Sequence, residues 1–467
     1  MTFAHPIRHL LIFFLLCPLA ILAQPTWQLD ETTLLEYDLV TGVNVPWDLV
    51  WGPDDMLWCT TRHGEVLHID PSTGAYQTVL ELDVYGGFGE PGLLGMAMHP
   101  DWDNNPSVFL VYTAPSQGNG AVEHLSAFQW NGESLLNETI LHTVDAGGIH
   151  NGSRLLILPD STLLMTTGDT GDGGYSSQSD SHDNGKVLRM NLDGSIPEDN
   201  PDPASRVYSK GHRNSQGLCL GPNQRIYSSE HGQQNWDELN VIEPGRNYGW
   251  PDVEGSCDTP GENDFCTENS VMEPLATWSP CPAVNGLAYY THDAIPEWNG
   301  ALLMAVLGGI PSPGEPRLSV LHLSEDGLGV TSETQHFGSF VQRVRDVEIN
   351  PHTGAVYLAF NGPQYPGNGP NIIKEFRPAP TSATGEWSGV RGVDAFPNPA
   401  TDLLRFHVDA TWNGREYQVW NAQGQLVTEG ILEENLQLSV EDWKRGAYIF
   451  TTSSGSKSVL SRLLILE

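Results

Sequence analysis

One short pattern recurs through the first three quarters of the chain and restricts its fold more than any other feature. An apolar stretch runs into a turn rich in Pro, Asp or Asn, and an alternating apolar segment follows. The copies read LVWGPDDMLWCT, MAMHPDW before SVFLVYT, LLILPDSTLLMTT, LCLGPNQRIYSS and VEINPHTGAVYLAF. Proline presets the turn, and alternation with period two is the signature of a strand with one buried face. The turn prolines are Pro53, Pro100, Pro159, Pro222 and Pro351, separated by 47, 59, 63 and 129 residues. The last interval leaves room for one divergent copy, VNGLAYYTHDAIPEWNGALLMAV. No long 3.6-residue periodicity interrupts residues 30–378. Six units of roughly 45–75 residues, each of short strands, predict an all-β chain: a six-bladed β-propeller over residues 24–376. The long period implies elaborated loops on one face. An irregular array of β-sandwiches is the competing architecture.

The ends of the chain read differently. Residues 1–23 have the pattern of a signal peptide: Arg8 and His9, the apolar run Leu10–Leu16, and the small Ala23 before Gln24. The run is broken by Pro18 and is too short for a membrane span, and Leu16 before Cys17 is too large for a lipid-attachment signal. Residues 377–392, RPAPTSATGEWSGVRG, have linker composition. Residues 393–467 carry their own alternating strands, enough for a small β-sandwich. Acidic residues outnumber basic ones 58 to 22, a formal charge of -36. Such a field disfavours nucleic acid and anionic lipid, and suits divalent cations in an extracellular setting. Cys257 and Cys266 bracket the loop DTPGENDF and are placed to pair once exported; the cysteine spacing fits no zinc pattern.

Chemistry-bearing residues concentrate in a few places. His150 lies between a glycine-rich turn and a strand in GGIHNGSRLLILPD; by itself such a histidine is more often structural than catalytic. Arg213 and Asn214 precede a Gln-Gly turn at a strand entrance. Glu238 lies ten residues before Tyr248 in a loop rich in turn formers, and carboxylates with backbone carbonyls in irregular loops are calcium donors. Alternation places Arg343 and Arg345 on one face of a strand, and guanidinium forks suit carboxylates. The loop GDTGDGGYSSQSDSHD is either solvated or a cleft lining. His99 reads as structural, His182 and His231 as rivals of His150, and Trp250 and Trp278 as packing or sugar-stacking residues. No GxSxG elbow, HExxH helix, P-loop or dinucleotide fingerprint is present.

GLLGMAMHPDW, HNGSRL, GKVLRMNLDGSIPEDNP, GHRNSQG, DELNVIEPGRNYGWP and VRDVEINPHTGAVYLAF occur in one order. Together they resemble the soluble quinoprotein glucose/sorbosone dehydrogenases, six-bladed propellers that include aldose sugar dehydrogenases using pyrroloquinoline quinone. The start FPNPATD and the end GAYIF to KSVLSRLLILE resemble the C-terminal sorting domain of the type IX secretion system of Bacteroidetes. That likeness implies export through the periplasm and release or display at the surface of a Gram-negative cell, with the type IX machinery as partner. Carried over by position, the first likeness implies that His150 is the general base and that Arg213, Asn214, Arg343 and Arg345 face the quinone. It further implies that the carbonyls of Gly232 and Gln233 hold a cofactor-bound calcium, and that Glu238 and the Tyr248 carbonyl serve a second, structural calcium.

The implied chemistry is oxidation of an aldose or similar alcohol, with an external electron acceptor. Neutral imidazole is poised to take the hydroxyl proton, and the quinone accepts the hydride. Three positions depart from the family pattern. Glu90 stands at the cofactor where a glutamine is expected, the segment ALLMAVLGGIPSPGEPRL has no lysine for the quinone, and Gln233 replaces a proline. A calcium-stabilised propeller that binds glycan or protein without catalysis, like the hedgehog-interacting branch, is the second reading. Lactone hydrolysis on a calcium propeller is a third.

Overall fold

The computed structural model describes residues 25–466 apart from 87–88, 117–119, 309–313, 339, 341, 380–392, 397–399, 401, 409–411, 422–424, 434–435 and 455–457. The expected signal peptide, residues 1–23, and most of the expected linker lie outside the described residues. The protein is almost wholly β. Among the described residues up to Pro378, six antiparallel sheets follow one another along the chain. Their first strands are Pro46–Trp51, Leu93–Met98, Gly152–Ile157, Ser215–Leu220, Val284–Tyr290 and Val344–Ile349. Each lies against the first strands of the sheets before and after it, and the sixth returns to the first. The recurring proline turns join first to second strands in five sheets, and THDAIPEWNG does so in the fifth. The sixth sheet takes two further strands from the start of the chain: Thr33–Val43 pairs with Asn371–Pro378, and Thr26–Gln28 with Thr33–Val43.

Apolar alternation builds six cores between sheets instead of one central core. Trp58 and Val66 of the first sheet pack against Leu93, Val108 and Phe128 of the second. Tyr290 and Leu303 of the fifth pack against Val347, Val356 and Phe360 of the sixth. Equivalent clusters fill the other four junctions. Both faces of each sheet are therefore buried, which is why the strands read as near-continuous apolar runs.

The axis is polar. Every first strand carries a register shift near its start, between Pro46 and Asp48, Leu93 and Met96, Gly152 and Leu155, Ser215 and Gly217, Val284 and Leu287, and Val344 and Asp346. A bulge re-aims side chains, and here Trp47, Arg154, Gln216, Asn285 and Arg345 meet. Arg345 Nη1 donates to Gln216 Oε1 at 2.8 Å, Asn285 Nδ2 donates to the same oxygen at 2.9 Å, and Arg154 lies over the Trp47 ring at 4.6 Å. Below them Arg154 bridges Asp48 and Asp346, its Nη2 3.1 Å from Asp346 Oδ1. Asp48 Oδ2 accepts the Met96 N–H at 2.8 Å, and Asp346 Oδ2 accepts the Leu49 N–H at 2.7 Å. Gly286 is required beside this group, because a Cβ there would lie 1.7 Å from Asp346 Oδ1. A cavity of about 540 Å³ lies on the far side of the triad, lined by the distal halves of the first strands and by Glu348.

The strands from Val393 to Leu466 form two antiparallel sheets around their own core of Leu404, Phe406, Val419, Tyr448 and Phe450. Cys257 and Cys266 form a disulfide. Among the described residues no helix is long and apolar enough to cross a membrane.

Burial works against charge on Arg154, yet Asp346 and Asp48 hold it cationic. Arg154→Met would leave both carboxylates buried without a counter-charge. The expected loss is about 3–5 kcal/mol, read as a lower urea midpoint with an unchanged m-value.

Candidate functional site

The entrance ends of the first strands converge on one mouth of the axis, and the chemistry-bearing side chains collect there. His150 sits two residues before its strand with φ 55°, a left-handed conformation uncommon for a residue with a side chain. The Glu90 carboxylate pins that turn, Oε2 accepting the His150 N–H at 2.8 Å. The returning strand Thr162–Thr167 brings the start of the acidic loop back beside the histidine. Asp169 Oδ1 lies 2.7 Å from His150 Nδ1 and accepts the Gly171 N–H at 2.8 Å, while Oδ2 accepts the Trp250 indole N–H at 2.9 Å. Gly168 makes this approach possible, since a Cβ there would lie 1.9 Å from the His150 carbonyl. Burial raises the Asp169 carboxyl, but these bonds outweigh it and hold the group below its ordinary range. Lys186, fully buried, pins the rest of the loop through the carbonyls of Ser176, Ser177 and Asn184 at 2.7, 3.1 and 2.8 Å. Burial pulls its ammonium down to about 8.

Arg213 closes the other side of the imidazole. Its Nη2 lies 3.2 Å from His150 Nε2, its Nη1 donates to the carbonyls of His231 at 3.0 Å and Gly232 at 2.7 Å, and its guanidinium lies 5.3 Å from the Trp250 ring centre. Arginine has no acceptor, so Nε2 takes the hydrogen bond and the histidine proton resides on Nδ1, facing Asp169. His150, Asp169, Trp250 and Arg213 thus form a closed cycle. Asn214, expected at the quinone, has its Oδ1 committed to the Gly152 N–H at 3.1 Å. His231 is kept neutral by burial and by the nearby Arg345 and Arg213.

A group of buried cations faces this cycle. Arg343 donates Nε to the Gly308 carbonyl at 3.2 Å, and its buried Nη1 has no partner among the described residues. Burial draws Arg343 down to about 10. Burial, then the nearby Arg343, draws Arg345 down to about 9. The bulge interrupts the alternation of the pair, yet both stay at the same mouth. Arg62 donates to the carbonyls of Gly89 at 3.0 Å and Gly367 at 3.1 Å, clipping the loops that carry Glu90 and Tyr365. Burial and the Glu90 charge push the Tyr365 phenol up to about 12. Glu90 is the carboxylate that offsets Arg62, Arg343 and Arg345. An unpartnered buried N–H among several guanidiniums is the donor set for a polycarboxylate, so the residues present fit pyrroloquinoline quinone.

Glu230 and Glu238 are cross-strand partners. The two glutamates, Gly232, Tyr248 and Trp236 line a small adjoining pocket. Burial and the neighbouring Glu230 push the Glu238 carboxyl up to about 8. Gln233 is exposed beside it. Among the described residues no three His, Cys, Asp or Glu side chains converge on a metal position. A cation here would rest on one or two carboxylates and on carbonyls, which is calcium chemistry. His99 is tied into its turn by Asp101 and Asn105, His182 by Ser179 and Ser181, and the Trp278 indole by Glu333. Arg62 and Gln216 escape a reading of the sequence alone, whereas Asp169 lies in the acidic loop GDTGDGGYSSQSDSHD.

Between an ordinary value near 4.5 and about 8, Glu238 keeps a proton in the folded state that the unfolded chain has lost. Stability of the metal-free protein therefore falls as pH rises through that window. We expect the melting temperature in chelator to drop by roughly 5 °C or more from pH 5 to pH 8, and Glu238→Gln to flatten the slope.

Residues 43–365 match the glucose/sorbosone dehydrogenase family model, and residues 394–466 match that of the secretion system C-terminal sorting domain. The chain is 35% identical over 273 residues to quinoprotein glucose dehydrogenase B of Acinetobacter calcoaceticus, covering 51% of this chain and 57% of that protein. It is 26% identical over 362 residues to the aldose sugar dehydrogenase of Escherichia coli, covering 74% of this chain and 94% of that one. The PQQ-bound aldose sugar dehydrogenase of Streptomyces coelicolor superposes with a TM-score of 0.63 at 31% identity, over 76% of this chain and all of the other. The chain belongs to the glucose/sorbosone dehydrogenase family and carries a C-terminal sorting domain of the Por secretion type.

Proposed function

We propose that the protein is an exported quinoprotein oxidoreductase that converts an aldose, or a similar sugar alcohol, to its lactone or carbonyl product. The six sheets are read as the blades of a propeller, the two C-terminal sheets as a small sandwich, and the sorting domain as the address for type IX export. The observation that carries the reading is the oriented base beside an arginine group with an unpartnered donor. Bound among Arg213, Arg343 and Arg345, pyrroloquinoline quinone would supply the hydride acceptor. His150 takes the hydroxyl proton at Nε2, because Nδ1–H is committed to Asp169. Asp169 fixes the tautomer and offsets the imidazolium charge that follows. Arg213 places a cation where negative charge develops. Arg343 and Arg345 anchor carboxylates, and the partly buried mouth limits water. Calcium is assigned to the Gly232 and Gln233 carbonyls and to Glu238 with the Tyr248 carbonyl, the latter joined by Glu230.

Reconstitution of the mature protein with quinone and calcium should give a bound-quinone absorbance and dye reduction with aldoses. His150→Ala should keep the absorbance and lose turnover. Asp169→Asn should lower kcat by roughly 10²–10⁴ with little change in cofactor affinity. Arg343→Ala should instead weaken cofactor binding. No quinone binding at micromolar concentration would leave the non-catalytic reading in its place.

A further inference from the structure

The contact between Arg213 and His150 involves the two groups most needed for turnover, and it satisfies each with the other. A general base acts through its free lone pair. Nδ1 carries the proton, so Nε2 holds that lone pair, and the Arg213 guanidinium donates into it at 3.2 Å. The second arm of the same guanidinium donates to the His231 and Gly232 carbonyls at 3.0 and 2.7 Å. Gly232 is one of the two carbonyls assigned to the cofactor's calcium. One planar group therefore covers a metal donor and a base together. Its position is fixed rather than incidental: the Arg213 N–H is bonded to the buried Glu230 carboxylate, the Arg213 carbonyl accepts the Asp169 N–H at 2.8 Å, and the guanidinium lies over Trp250.

We infer that Arg213 is a latch which keeps the base capped until a divalent cation arrives at the Gly232 carbonyl. A cation needs that oxygen and repels the guanidinium. Displacing Nη1 rotates the rigid fork as a whole, so Nη2 leaves His150 Nε2 in the same movement. Binding of the metal and availability of the base are then one event, and by reciprocity occupation of Nε2 by Arg213 weakens cation binding. The inference rests on the calcium assignment above and goes beyond it, because it makes the cation a switch for the base as well as a ligand for the cofactor.

The test requires neither cofactor nor turnover. Diethyl pyrocarbonate transfers an ethoxycarbonyl group to a free imidazole nitrogen, releasing carbon dioxide and ethanol, and peptide mass spectrometry reads the rate at His150. In the cofactor-free mature protein, calcium should speed labelling of His150 by roughly tenfold or more, the scale of one hydrogen bond to a charged donor. Calcium binding is followed in parallel by calorimetry. Arg213→Gln should label fast without calcium, show no further response to it, and bind it more tightly. Arg213→Lys keeps the charge but cannot span both partners; it should label like Arg213→Gln, whereas a merely electrostatic role would leave it like wild type. Calcium that binds Glu238→Gln, which lacks the carboxylate of the second calcium site, without changing His150 labelling would overturn the latch and leave the Gly232 site standing. Absence of calcium binding to the cofactor-free protein would overturn the latch, while the calcium of the proposed function is decided separately by titration with the quinone present. Both of these measurements keep Arg213, so they decide the matter even if an Arg213 variant fails to fold.

Discussion

The buried Arg154, held between Asp48 and Asp346, is the constraint on which the rest of the architecture depends. It joins strands from the first, third and sixth sheets at the one place where six apolar layers cannot pack, the axis itself. Its carboxylate partners also accept backbone N–H groups of the first and second sheets. Replacing such a triad by apolar residues is often neutral in other proteins, so its value here lies in register. The bulges above it turn Trp47, Gln216, Asn285 and Arg345 inward, and that polar layer is the floor of the site. The triad also separates the site from the cavity at the opposite end of the axis, so that the two mouths are different chemical places.

The site is assembled from strand entrances, with each sheet supplying one or two groups. Glu90, His150 and Arg213 come from successive sheets, and Arg343 and Arg345 come from the last. A chain of formal charge -36 thus holds a strongly cationic recess. Burial of Arg343 and Arg345 depresses their affinity for protons, which marks sites whose charge is waiting for a partner. Glu90 explains itself in this setting: it is a local counter-ion that also fixes the turn of His150, and it leaves the cations in excess.

Much of this was legible in the sequence. The proline turns mark the inner hairpin of five sheets, and the divergent fifth was found from the interval it had to fill. Asp169 was legible in principle. A hairpin turning at Pro159 and Asp160 places residue 169 opposite residue 150, so the start of the acidic loop had to meet the histidine. Arg62, and the bond from the Trp250 indole to Asp169, could not be found in this way, because the partners lie in other sheets and are backbone carbonyls or a carboxylate distant in sequence. The bulges were also invisible. Strict alternation placed Arg343 and Arg345 side by side on one face, and only the shifted register explains why Arg345 turns to the axis. The Asn214 oxygen ties two sheets together through the Gly152 N–H, a contact that no local pattern announces.

The pairing of Thr33–Val43 with Asn371–Pro378 has a consequence for the order of events during folding. Thr26–Gln28 can pair locally with the start of Thr33–Val43, but the other edge of that strand must wait for a partner more than three hundred residues later in the chain. Ring closure is therefore the slowest kind of contact to form, since its entropy is lost before any neighbouring contact rewards it. Until then an eleven-residue strand has an open edge, the kind of surface on which chains aggregate. The closing strand directly precedes the C-terminal sorting domain, so the ring can close only when nearly all of the chain ahead of that domain has been made.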